Sequence, residues 1–233
     1  MKSAILVACA LLAAHVSYGQ KMEYSAHFNS GGSAYRGPSA RSSSILFISD
    51  VAGEGPFYND GSYTSRLGFS YGLAAQVQRI TQKQDLFGVQ AGYEVLRNRQ
   101  NITEINGFRF QTSASGHITL TNQYVNAHPF FGHRFALKTI ALDLTAGPEV
   151  GLLCRSHLVE NITTESGYTY SGKFDSNQPK LDVRARLNLA AYYKHIGLTL
   201  GYSRGLTNYY GDYAGGRSEA YSQLFRVGLA YRI

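Results

Sequence analysis

Cysteine, proline and charge are all scarce in this chain of 233 residues, and it has no long apolar run. Of its two cysteines, Cys9 lies in the first twenty residues and Cys154 is the only other. A chain that has shed its N-terminal segment therefore cannot close an internal disulfide, and its stability must come from the fold. No stretch approaches the roughly 18 apolar residues that a membrane-crossing helix needs, so any crossing must use strands. Helix-forming residues never gather in a 3.6-residue period, and five prolines leave room for long strands. No Cys/His cluster of zinc spacing and no glycine-rich phosphate loop is present, so neither a metal nor a cofactor is implied. Charged residues make up only 16%. The lysines and arginines are scattered singly rather than gathered in runs, which argues against nucleic acid as a partner.

What is present begins with Lys2, followed by the apolar or small residues Ala4 to Ala14 and then His15, Val16, Ser17, Tyr18 and Gly19. Basic, apolar and small-residue regions in that order predict a cleavable export signal over 1–19, leaving residues 20–233 as one domain. Leu6 to Cys9 imitates a lipoprotein box, but the apolar region continues past Cys9, so lipidation is not expected. Formal charge is +7 with a pI near 9.4. Loss of Lys2, the only charged residue of the leader, leaves +6, which suits an anionic membrane surface.

The decisive feature is period two, recurring along the chain. Over 66–78, Leu67, Phe69, Tyr71, Leu73, Ala75 and Val77 alternate with Arg66, Gly68, Ser70, Gly72, Ala74, Gln76 and Gln78. The same alternation recurs over 86–95, 140–152, 181–193, 197–206 and 221–233, with weaker candidates at Met22 to Phe28 and about 120–135. This amounts to about eight strands. Connections alternate between short (81–84, 136–139, 194–196) and long (30–64, 99–117, 154–180, 209–219). Short turns on one rim and long loops on the other predict an all-β, closed, antiparallel, up-and-down transmembrane barrel with both termini on the short-turn rim, the periplasm.

One parity is almost free of charge. The other carries Glu23, Arg66, Glu94, Asp143, Glu149, Asp182, Arg184, Arg186 and Arg226. An Arg or Lys facing lipid near the midplane costs about 2–4 kcal/mol, so the apolar parity must face the hydrocarbon and the charged one the lumen. Eight strands leave an interior only just wide enough for side chains, so these charges are expected to form a polar core rather than line a pore. Arg204 breaks the rule by falling on the lipid parity between Tyr202 and Leu206. It either snorkels to the interface, follows a bulge, or contacts anionic headgroups. Pro129, inside a strand paired on both sides, is expected to sit at a bulge. The flanking His128 and His133 lack a third ligand at metal spacing.

These residues resemble the small Bacteroidota-type outer-membrane barrels, the PorT-like family, over residues 20–233. The resemblance rests on Tyr18, Gly19 and Gln20, on Gly147, Pro148, Glu149, Val150 and Gly151 within Leu144 to Leu152, on Arg204 to Asn208, and on the aromatic-rich last strand. It implies a cell outer-membrane location with lipopolysaccharide and the barrel assembly machinery as partners, and for some members a tie to secretion.

Gly68, Phe69, Ser70, Tyr71, Gly72 matches the nucleophile-elbow pattern, but it lies mid-strand, where the required strand-to-helix turn is missing. The expected role is therefore structural or interactive, through long outer loops bearing Tyr209, Tyr210, Tyr213 and Tyr221. The alternatives are a lipid- or lipopolysaccharide-modifying membrane enzyme, a small channel or secretion-associated barrel, and a soluble ligand-binding barrel. A rim cluster of His, Ser and acid would mark the enzyme.

Overall fold

The computed structural model describes residues 21–48, 57–59, 63–107, 111–176, 178–211 and 218–233. Residues 1–19, expected as an export signal, and Tyr213 lie outside them. The strands are β1 (Lys21–Arg36), β2 (Ser43–Ile48), β3 (Phe57–Asn59), β4 (Gly68–Ile80), β5 (Asp85–Gly107) and β6 (Gln111–Ala136), then β7 (Ile140–Thr164), β8 (Thr169–Asp175), β9 (Leu181–Tyr193), β10 (Ile196–Gly205) and β11 (Tyr221–Arg232).

Eight of them close a ring. The antiparallel pairs run β1–β4, β4–β5, β5–β6, β6–β7, β7–β9, β9–β10, β10–β11 and β11–β1, so no barrel strand is left with a free edge along its lower part. The order is a meander with neighbours consecutive in the ring. β2, β3 and β8 stand outside it: β8 pairs with the outer half of β7, β2 runs parallel to the outer end of β5, and β3 pairs with β2.

Within the expected loops 99–117 and 154–180, residues 99–107, 111–117 and 154–164 are instead extensions of β5, β6 and β7, which project beyond the rim as a sheet. The reason lies in which face is apolar. Within the ring, Leu73 and Phe131 point outward at 64% and 63% exposure, as do Phe87, Leu144, Leu198 and Val227. Above the row Val95, Gln123, Arg155 the faces invert. Leu96, Ile102, Ile118, Leu120, Leu158 and Ile162 now point inward and are buried, while Arg97, Arg99 and Arg155 point out. On β5 the inversion occurs with no register shift, so the inward face itself passes from polar to apolar residues. On β7 a bulge at Cys154, where Tyr124 faces Leu153 but Gln123 faces Arg155, resets the parity.

Pro129 does not sit at a bulge. Ala127 faces Val150 and Phe131 faces Ala146, so the register is unbroken and Pro129 stands directly opposite Pro148. Neither ring can donate a backbone hydrogen bond, and the β6–β7 ladder lapses over 128–130 without shifting. His128 spans the gap from the lumen side, donating through Nδ1 to the Pro148 carbonyl at 2.9 Å. At Gly147 the strands come so close that a Cβ would lie 2.1 Å from the Pro129 oxygen. Gly147→Val is therefore expected to lower the urea midpoint of the folded barrel, by about 1–3 kcal/mol, as overpacking does. An unchanged midpoint would show that the seam yields freely.

Candidate functional site

The lumen holds two ion networks stacked along the axis. Near the short-turn rim, Arg134 of β6 makes a double contact with Asp143 of β7, Nε to Oδ1 and Nη2 to Oδ2, both at 2.6 Å. The same guanidinium reaches across to Glu23 of β1 at 3.0 and 2.8 Å. Gln78 adds a bond to Glu23 at 3.1 Å, and Lys21 and Arg232 approach Glu23 from the rim at 3.1 and 3.5 Å.

The central network is larger. Arg226 of β11 forks onto Glu94 of β5 at 2.6 and 2.8 Å and also donates to Glu149 of β7 at 2.8 Å and to Ser203 at 2.6 Å. Arg184 of β9, with 0% exposure, donates to Asp182 at 2.8 Å, lies 3.3 Å from Glu149 and 3.5 Å from Glu94, and stacks over the Tyr124 ring at 5.2 Å. Arg186 is 3.8 Å from Glu149 and donates to Asn188. Glu149 accepts a further bond from Ser203 at 2.8 Å. With carboxylates and guanidiniums nearly balanced and each paired, the burial cost of any one charge is offset by its neighbours.

Of the nine residues expected to point inward, Glu23 and Asp143 fall in the lower network, and Glu94, Glu149, Asp182, Arg184, Arg186 and Arg226 in the central one. Arg66 joins neither. It precedes β4, is exposed, and its backbone N–H donates to Thr64, because the strand begins two residues later at Gly68. Arg134 is the member that alternation failed to single out. It lies at the end of the segment with the weakest apolar pattern, and only the fold shows that its even position continues the inward parity of His128 and Phe130.

Above the central network apolar and aromatic side chains pack together. Tyr35, Tyr63 and Tyr209 pack at ring centroid distances of 4.9 to 5.2 Å, backed by Leu46, Ile102, Ile118 and Leu158. Tyr209 ties this plug to the ions below, donating to Asp182 at 2.7 Å and meeting the Tyr124 hydroxyl at 2.9 Å. At 4% exposure Tyr209 is no outer contact residue, contrary to the expectation from its loop position. Tyr210 packs against the same plug and Tyr221 is half-buried. Buried hydroxyls that reach a carboxylate are worth more inside than at the surface.

A cavity of about 30 Å³ remains between the networks, bordered by His27, Gln78, Gln90, Asp143 and Arg186, with room for one or two waters. His27 Nε2 lies 2.9 Å from Ser25 Oγ, but no carboxylate contacts its other nitrogen and the space excludes a substrate. Ser70 lies within β4, two residues from its start, and is buried. His128 faces the lumen, whereas His133 faces out and pairs with Asp85 at 3.1 Å, so the two do not converge. Among the described residues no group of three or more His, Cys, Asp or Glu is placed to hold a metal ion. Arg204 is on the outward face in an unbroken register between Ala185 and Gln223, so no bulge explains it.

No protein-family model matches the chain, and no curated relative does. Among solved structures it is similar to three bacterial barrels. The attachment invasion locus protein Ail of Yersinia pestis, crystallised with a heparin analogue, is 11% identical, with 91% of this chain and 99% of that one covered at a TM-score of 0.39. Neisserial surface protein A is 12% identical, with 91% and 98% covered at 0.37. The translocator domain of the autotransporter NalP from Neisseria meningitidis is 12% identical, with 100% and 95% covered at 0.33.

Proposed function

We propose that this chain is an exported outer-membrane barrel of the PorT-like type, closed to permeation, which carries a rigid sheet outward as an interaction platform. The inversion of the apolar face at the row Val95, Gln123, Arg155 carries this reading. Below that row leucines, phenylalanines and tyrosines face out, and above it arginines and polar residues do. A wall facing water throughout would gain nothing from exposing Leu73, Phe131 and Leu198 in one band, whereas hydrocarbon favours it. The projecting β5–β8 sheet, with β2 and β3 on its edge, gives a partner a stiff surface rather than mobile loops. That partner is an external or secretion-linked component; lipopolysaccharide surrounds the band, and the barrel assembly machinery inserts it.

Two measurements test this. The refolded chain is expected to partition into detergent and to migrate faster on a gel unheated than boiled. In a planar bilayer it is expected to pass no steady current, because two ion networks and an aromatic plug fill the lumen. Recovery in the aqueous phase would overturn the membrane assignment, and steady conductance would overturn the closed lumen. An enzyme acting on lipid would need His, Ser and acid together at a rim, and the described residues bring together only Ser25 and His27, inside the wall.

A further inference from the structure

Resting on the membrane assignment, we infer that the outer wall over β7, β9 and β10 holds one phosphate-bearing membrane lipid, its headgroup on Arg204 and an acyl chain in the groove beside it. The groove has a volume of about 440 Å³, within the range of small-molecule sites. Small residues make its floor: Pro148 faces Ala185, which faces Arg204 in one cross-strand row, with Ala146 in the next. Larger ones raise its sides, Leu187 and Tyr202 below and Leu206 above.

The charge decides the occupant. Arg204 has no hydrogen-bond or ion-pair partner among the described residues, and no acid faces it from the adjacent strands: Ala185 is its neighbour on one side and Gln223 on the other. Gln223 is itself engaged, donating to the Tyr202 hydroxyl at 2.9 Å and accepting from Arg36 Nε at 2.8 Å. Arg36 thus brings a second cation to the same patch. Nor does Arg204 stand at the edge of the apolar band. Leu206 lies beyond it, just past the end of β10, and Leu152 and Leu181 lie four residues beyond Pro148 and Ala185 on the two neighbouring strands, all exposed. An unpaired cation inside a lipid-facing band is costly, so an anionic headgroup drawn toward the groove answers a deficit that water cannot reach. Bare phosphate would satisfy the guanidinium and leave the apolar groove empty, which is why the lipid is the occupant.

The test is native mass spectrometry of the barrel refolded in neutral detergent with phosphatidylglycerol. One lipid is expected to stay bound per barrel. Arg204→Gln is expected to reduce retention roughly tenfold or more, the effect of losing a charge-assisted contact. Ala185→Leu, which fills the floor and keeps the charge, is expected to reduce it as well. Diacylglycerol should not be retained, and millimolar inorganic phosphate should not displace the bound lipid. Gel mobility before and after heating confirms that each variant is folded, and Arg204→Lys, which keeps the charge, is expected to retain most of the lipid. Equal retention by Arg204→Gln, equal retention of diacylglycerol, or displacement by phosphate alone would each overturn the site. A folded barrel that retains no lipid overturns the site only; a wild-type chain that stays in the aqueous phase overturns the membrane assignment beneath it.

Discussion

Glu149→Leu is expected to destabilise the barrel by about 3–5 kcal/mol, read as a large drop in the urea midpoint monitored by gel mobility. Glu149 is fully buried and sits among Arg184, Arg186 and Arg226 at 3.3, 3.8 and 2.8 Å, with Ser203 donating to its second oxygen. Removing it leaves three guanidiniums facing one another with only Glu94 and Asp182 to answer them. Removing a partner from a buried pair strands a charge, whereas removing both restores balance. Glu149→Leu combined with Arg226→Met is therefore expected to recover part of the loss. A change below about 1 kcal/mol for the single variant would mean that water reaches these groups freely, and the closed lumen would then fall as well.

The second large effect is a loosening of the projecting sheet as pH rises to neutrality, centred on Glu160. This carboxyl lies above the row Val95, Gln123, Arg155 on the inward face of β7, 3% exposed, with Ile118 across the β6 pair and Gly172 across the β8 pair. Among the described residues its Oε2 has no partner, and neither amide atom of Gln100, the residue facing Ile118 from β5, has one either. Ile162, Leu158 and Tyr170 pack nearby on the same face, and no basic group offsets the burial. Burial among these side chains pushes the Glu160 carboxyl up from 4.5 to about 7. Its folded value exceeds its unfolded one, so the protonated form is the one the fold favours. The stability this carries is complete below about pH 4.5 and is lost as pH rises through 7. By pH 9 the cost is about 2–3 kcal/mol, borne by the sheet rather than by the whole barrel. Hydrogen exchange of β6, β7 and β8 amides is expected to quicken between about pH 4.5 and pH 7.5 beyond the intrinsic rate and to show no further excess above that, and Glu160→Gln to abolish the excess. The same excess in Glu160→Gln would assign the loosening to another group. The outward His117 and His157 act in the opposite sense. Burial first and neighbouring basic residues second, Arg99 for His117 and Lys173 and Arg155 for His157, hold both imidazoles below their usual value, so the fold favours their neutral forms and rising pH does not loosen it through them.

Part of the site could be read residue by residue. The inward places of Glu94, Asp143, Glu149, Arg184 and Arg226 follow from parity alone, since a strand with a charged and an uncharged face can turn only one of them to hydrocarbon. Arg66 shows the limit of that rule: it extends a parity past the point where the strand begins. Tyr209 shows another. A tyrosine in a glycine-rich connection reads as exposed until the chain folds it back onto Asp182. The extensions of β5, β6 and β7 were hidden because their apolar residues fall on the opposite face from those of the barrel below. A reading that follows one face through a change of solvent sees the pattern stop.

The alternation along the chain determined by itself that strands close on one another, which side of each meets the apolar surround, and roughly where each turns, because a strand's two faces are fixed by neighbours one residue apart. Only the tertiary structure decided which arginine meets which acid, that Arg134 links Glu23 to Asp143, that Pro129 and Pro148 face each other, and that Tyr35, Tyr63 and Tyr209 pack together above the ions. Those contacts join residues far apart in the chain, 132 positions in the case of Glu94 and Arg226. They depend on the register and stagger with which the ring closes, a property of all eight strands together that no single segment carries.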